Sequence, residues 1–183
     1  SCSGRTGAEA VGARRLTPLR GALVVVVALV AQIAIVADLR VAGAVGDLML
    51  LVTVAAALTG GPDRGATYGF VAGLAFDLTL DSPFGLSALT YAVVGFVVGL
   101  ACGGLFRPAG WWPLAVAAVA AVAATAFYTG VGHLIDTPYP WGDLPAISVA
   151  VGLWNVALVL PAMAVMRWVF GPTEPERLEV ALR

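Results

Sequence analysis

The stretch "GATYGFVAGLAFDLTLDSPFGLSALTYAVVGFVVGLACGG", Gly65 to Gly104, decides how the whole chain is read. It is almost wholly apolar, yet Asp77 and Asp81 stand in its middle. Glycine recurs every fourth residue on both sides of them. Gly61, Gly65, Gly69 and Gly73 form one ladder; Gly95, Gly99 and Gly103 form a second, which Ser87 and Tyr91 continue. At helical pitch, residues four apart share a face. A face without side chains lets another backbone come close, which is how small-residue motifs pack in lipid. The spacing predicts two helices whose bare stripes meet a neighbour. That neighbour is either another helix of this chain or the transmembrane helix of a docking partner.

The rest of the chain fits a lipid solvent. Of its 183 residues, 60% are hydrophobic and 11% are charged, and mean hydropathy is +0.94. A soluble domain carries about a quarter charged residues, so there is too little polar material here to cover a globule. The net charge of −1 gives no basic excess for nucleic acid. Cys2 lies in a polar tail and Cys102 in an apolar segment, which argues against a disulfide. With a single histidine, the two thiols also make no metal-ligand set.

A helix crosses the ~30 Å hydrocarbon core in ~20 residues. Charge-poor intervals give six candidate spans: Gly21–Ala37, Leu48–Gly61, Gly65–Leu80, Ser82–Phe106, Pro108–Ile135 and Leu144–Met166. The second and third are short and read as a hairpin turning at "GGPDRG", Gly60 to Gly65. A five-span count stays open if that pair is partly re-entrant. Residues 1–19 read as a disordered polar tail, 20–170 as the bundle, and 171–183 as a short charged tail. Under six spans, nine of the ten arginines fall on one side and Arg40 alone on the other. By the positive-inside rule both termini are then cytoplasmic. Trp111, Trp112, Tyr139, Trp141 and Trp168 sit near span ends, as interfacial aromatics do.

Two acids in a membrane segment need partners, because a carboxylate at depth is costly. Asp77 lies only ~5–6 Å below Asp81 by helical rise, so its depth is shallow. Asp81 and Ser82 precede Pro83, a sequence suited to capping the next helix. Asp77 is expected to find Thr79, Ser87 or Tyr91 within the bundle. Gln32, Thr125, Tyr128, Thr129 and Asn155 are the remaining internal polar groups, suited to interhelical hydrogen bonds or to a small cavity. "GLSA" at Gly85–Ala88 is similar to the nucleophile motif of intramembrane serine proteases, and His133 lies near the same face. The glycine that should follow the serine is missing, and no oxyanion donor is recognisable. A proton-coupled carrier built on Asp77 lacks an intramembrane arginine or lysine to pair it.

Tyr68 to Gly99, "YGFVAGLAFDLTLDSPFGLSALTYAVVGFVVG", resembles the most recognisable stretch of the bacterial rod shape-determining MreD family. Gly69, Phe70, Gly73, Asp77, Pro83, Gly85, Leu86, Ala88, Tyr91, Gly95, Phe96 and Gly99 carry the likeness in order. The resemblance implies an all-α, six-span inner-membrane protein with no catalytic residues and no cofactor. It implies as partner an MreC-like single-span protein, and through it the RodA glycosyltransferase, a class B penicillin-binding transpeptidase and the MreB filament. The spacing itself puts Gly65, Gly69, Gly73, Gly95, Gly99 and Gly103 in helix packing or partner docking, and Asp77, Asp81, Ser87, Tyr91 and Asn155 read as buried polar groups. The family is also similar in helix arrangement to the S components of energy-coupling-factor vitamin transporters, which supplies the alternative reading of a substrate-binding subunit. Ala28, Ala31, Ala34 and Ala37 recur every third residue on the first span, where such a subunit would dock.

Overall fold

A computed structural model describes residues 5–36, 40–41, 44–79, 85–104, 111–134 and 144–171. Six α-helices carry them: α1 Arg5–Ala31, α2 Leu48–Gly60, α3 Pro62–Asp77, α4 Leu86–Gly104, α5 Trp112–Leu134 and α6 Leu144–Phe170. A π-helical turn, Gln32–Val36, extends α1. Between α1 and α2 a two-stranded antiparallel ribbon, absent from the all-helical expectation, pairs Arg40 with Val45 and Val41 with Ala44.

Helix α2 is the axis of the bundle and packs against all five other helices. Met49 through Ala57 are buried without interruption. A helix apolar on every side belongs inside other helices, which accounts for a segment too short to cross a bilayer with ease. Asp47 caps it by accepting from the Leu50 N–H (2.9 Å). At its other end Gly61 turns the chain at φ 83°, where an L side chain would be strained. Pro62 then opens α3 directly, a favoured place for a residue lacking an N–H. The turn at "GGPDRG" is therefore one residue long, and Asp63 and Arg64 belong to the first turn of α3.

The shell around α2 is inverted relative to a soluble protein. Large apolar side chains stay exposed on the outer helices, among them Leu23, Val27, Phe96, Val119, Leu153 and Leu160. An apolar exterior this widely spread is stable only against lipid. Trp112–His133 and Ser148–Phe170 are each long and apolar enough to cross a membrane; Pro18–Ala34, Leu48–Gly60 and Leu86–Cys102 are shorter apolar helices. α5 turns a buried face of Ala117, Ala120, Ala121 and Ala124 inward, which lets the axis helix and α4 approach it. Helix α1 begins at Arg5, inside the segment read from composition as a disordered tail; Ala, Arg, Glu and Leu there are good helix formers.

The tightest contact is between α3 and α4, whose glycine stripes face each other. A Cβ on Gly65 would stand 2.5 Å from the Gly95 carbonyl oxygen, and one on Gly73 2.5 Å from the Ala88 Cα. Cβ atoms on Gly69, Gly95 and Gly99 would overlap the Tyr91 carbonyl, the Gly65 carbonyl and Pro62 respectively. Gly103 lies in the last turn of α4. By contrast, Gly130 and Gly152 have nothing within 4 Å of a Cβ position.

The contrast sets a direct test by thermal unfolding in detergent, followed by far-UV circular dichroism. Gly69→Ala and Gly73→Ala push two backbones apart and are expected to cost about 1–3 kcal/mol each. Gly130→Ala and Gly152→Ala, in helices with open space beside them, should be neutral or stabilise by up to about 1 kcal/mol. Equal effects in the two pairs would contradict the packing.

Candidate functional site

Polar groups gather at the end of the bundle opposite most of the arginines. They are built from Asp47 at the start of α2, Asp77 at the end of α3, Ser87 and Tyr91 on α4, and Gln32 in the π-helical turn. Trp154 and Asn155 of α6 reach the same region, since the Gly46 Cα lies under the Trp154 ring: a Cβ there would stand 2.9 Å from Cγ.

Asp77 is 2% exposed. Its carboxylate accepts three backbone N–H groups: Gly85 (2.9 Å, Oδ2), Ser87 (3.2 Å, Oδ1) and Ala88 (3.2 Å, Oδ2). The first N–H groups of a helix have no partner within it, and here the last residue of α3 supplies partners for α4. The negative charge also sits at the favourable end of the α4 dipole. Gly85, at φ 96°, makes the turn, and its carbonyl accepts the first helical bond, from Leu89 (2.9 Å).

This corrects the partners expected for Asp77. Thr79 Oγ1 donates instead to the Phe76 carbonyl (2.8 Å), Ser87 engages Asp77 through its backbone alone, and the Tyr91 hydroxyl goes elsewhere. The capping role expected of Asp81 and Ser82 lies outside the described residues, but the α4 donors are met by Asp77.

Tyr91 is buried on α4, stacks with Phe76 at 6.4 Å, and donates a short hydrogen bond to the Asp47 carboxylate. Asp47 thus uses Oδ1 to cap α2 and Oδ2 to hold α4. Burial pushes its carboxyl above the usual range, against the opposing pull of the Leu50 N–H and the Tyr91 hydroxyl. Gln32 is 7% exposed and bridges the same junction. Its Nε2 donates to the Gly46 carbonyl (2.8 Å) and its Oε1 accepts from the Leu48 N–H (2.8 Å).

Hydroxyls deeper in the bundle are satisfied by their own helices. Thr53, Thr90, Thr125 and Thr129 each donate to a carbonyl four residues back, a habit of such residues in apolar surroundings. Among the described residues, the buried Ser87 Oγ, Trp154 Nε1 and Asn155 Nδ2 find no partner. The Ser87–His133 dyad is therefore not formed. Ser87 is buried at the α3–α4 contact, and His133 is exposed in the last turn of α5.

The family model described as rod shape-determining protein MreD matches residues 13–169. The chain belongs to the MreD family. The match spans all six helices, so the likeness carried by Tyr68–Gly99 extends well beyond the glycine stripes. No curated protein and no solved structure matches the chain significantly. Membership makes this a membrane protein of a shape-determining family. Within that frame the polar end ties helices together, with each identified acid accepting from a neighbouring helix.

Asp47 is not singled out by the sequence: its one local signal is its place just before an apolar run. Three substitutions probe the junction. Asp77→Ala orphans buried N–H groups at a cost of about 1–3 kcal/mol each, while Asp77→Asn, which keeps an acceptor oxygen, loses less. Tyr91→Phe removes one bond to Asp47 and costs about 1 kcal/mol. Thermal unfolding that ranks Asp77→Ala no worse than Tyr91→Phe would contradict the capping role.

Proposed function

We propose that this chain is a non-enzymatic, multi-pass scaffold of the bacterial inner membrane. In this reading it holds a cell-elongation complex together by binding the transmembrane helix of an MreC-like single-span partner. RodA, a class B penicillin-binding transpeptidase and MreB are its indirect partners. The arginine-rich end faces the cytoplasm, together with both tails.

Membership of a shape-determining family is the observation that carries the proposal. The geometry supports a refinement of it. The glycine stripes are filled by each other's backbones, so they serve as a rigid support, and the partner helix docks on an outer apolar face. Association there works by van der Waals packing, since lipid tails are as apolar as the helices and give no hydrophobic drive.

Complementation tests this in a rod-shaped bacterium deprived of its own family member. The wild-type chain should restore rods and co-purify with a tagged single-span partner. Gly69→Leu, which wedges α3 from α4, should leave cells round and lose the partner, whereas Gly130→Ala should behave as wild type. Round cells despite normal wild-type expression, or Gly69→Leu cells that grow as rods with the partner retained, would defeat the scaffold reading.

A further inference from the structure

At the arginine end, three helices converge on the last turn of α6. The Arg20 guanidinium of α1 lies 4.8 Å from the centre of the Trp168 ring. The Arg64 guanidinium of α3 lies 4.5 Å from the centre of the Phe170 ring. Tyr68 meets Phe170 edge-on at 5.4 Å. Gly21 of α1 lies against the Tyr68 hydroxyl, where a side chain would overlap it. Gly60 of α2 lies against Arg64 and Phe170: a Cβ there would stand 2.6 Å from the arginine Cδ and 2.9 Å from the ring. Two arginines from different helices are thus fixed on one aromatic scaffold.

Among the described residues neither arginine is paired with an acid. Asp63, exposed in the first turn of α3, is the described acid nearest in sequence. Arg167 is exposed in the last turn of α6, so among the side chains described at this end three arginines stand with one aspartate. A ring face holds a guanidinium through its π-system, and the guanidinium's fork of N–H donors matches the oxygens of a phosphate.

The flank toward the bundle centre is apolar and open. Leu23, one turn beyond Arg20, is 56% exposed, and Trp168 itself is 55% exposed. A free anion has no use for that flank, while an acyl chain has.

From this we infer a binding site for the headgroup of an anionic phospholipid at the α1–α3–α6 junction. Arg20 and Arg64 hold the phosphate, and the acyl chain runs along Leu23. Charge in the tails alone would attract anionic lipid diffusely; the two ring-held guanidiniums make one place for it.

The test uses the full chain in uncharged detergent, with phosphatidylglycerol or phosphatidylcholine added in equal amounts, and follows thermal unfolding. Phosphatidylglycerol is expected to raise the midpoint by about 2–4 °C more than phosphatidylcholine. Arg20→Gln with Arg64→Gln should abolish that difference, and Arg20→Lys with Arg64→Lys, which keeps charge but loses the fork, should retain part of it. Absence of any lipid difference in the wild-type chain overturns the inference, whatever the variants do. A full phosphatidylglycerol shift in the double glutamine variant overturns the assignment to these arginines. Inorganic phosphate at the lipid's concentration, if it reproduces the whole shift, overturns the lipid as occupant.

Discussion

The bundle depends on the direct touch of two backbones along α3 and α4. No side chain stands between Gly65 and Gly95, or between Gly69 and the Tyr91 carbonyl. In water such a contact would be a weak choice, since glycine loses the most freedom on folding and buries little apolar surface. In lipid the balance differs. Helices arrive already formed, and burying more hydrocarbon gains nothing against hydrocarbon. What remains is the number of atoms brought into van der Waals range, which is greatest where backbones meet. The other features follow from this pair. Asp77 closes it at one end by capping α4, and Gly61 and Pro62 meet Gly99 at the other. Thr53 of α2 lies against both stripes, at Gly69 and Gly95, so the axis helix packs onto the locked pair.

That lock was legible in the sequence because its signal is periodic. Four-residue spacing repeats over several turns in each helix and survives errors in where the helices begin. The hairpin turn was also visible in "GGPDRG", though Gly61 turns the chain by itself and the rest belongs to the helices. Illegible were the single contacts. Asp77 looked like a buried acid seeking a side chain, and its partners turned out to be backbone groups eight to eleven residues on. Nothing in residue type advertises a backbone donor. Tyr91 and Asp47 are 44 residues apart, and only the packing of α4 on α2 brings them together. Composition also mistook the start of α1, because Gly, Ala and Arg suit both a coil and a helix once a following apolar segment gives it a template.

The two ends of the bundle handle charge in opposite ways. At one end, carboxylates are met by helix N-termini and by a tyrosine hydroxyl. Asp47 and Asp77 are each tied to a second helix, so charge becomes cross-linking. At the other end, guanidiniums lie over aromatic rings of α6. A carboxylate accepting from backbone N–H groups has used the capacity it carries into the membrane, which suits a structural junction. A cation over a ring is held in place without an acid beside it.

A protein of this kind has to keep its shape for others to assemble on it. Short loops and an enclosed axis helix contribute, but rigidity comes mainly from contacts that allow no alternative register. A stripe of leucines can slide or repack, because flexible side chains find new holes. A backbone seated in a backbone groove cannot move by one residue without driving a Cβ into a carbonyl: a Cβ at Gly73 would stand 2.5 Å from the Ser87 carbonyl oxygen. Since both stripes are consumed in fixing that register, a partner helix of the kind proposed would have to read outer faces, that of α3 with its exposed Phe70 and Val71 included. Their mutual positions are then set by a contact the partner never touches. A mutation inside the lock would thus be felt at the partner's surface through geometry alone, even where every residue in contact with the partner is unchanged.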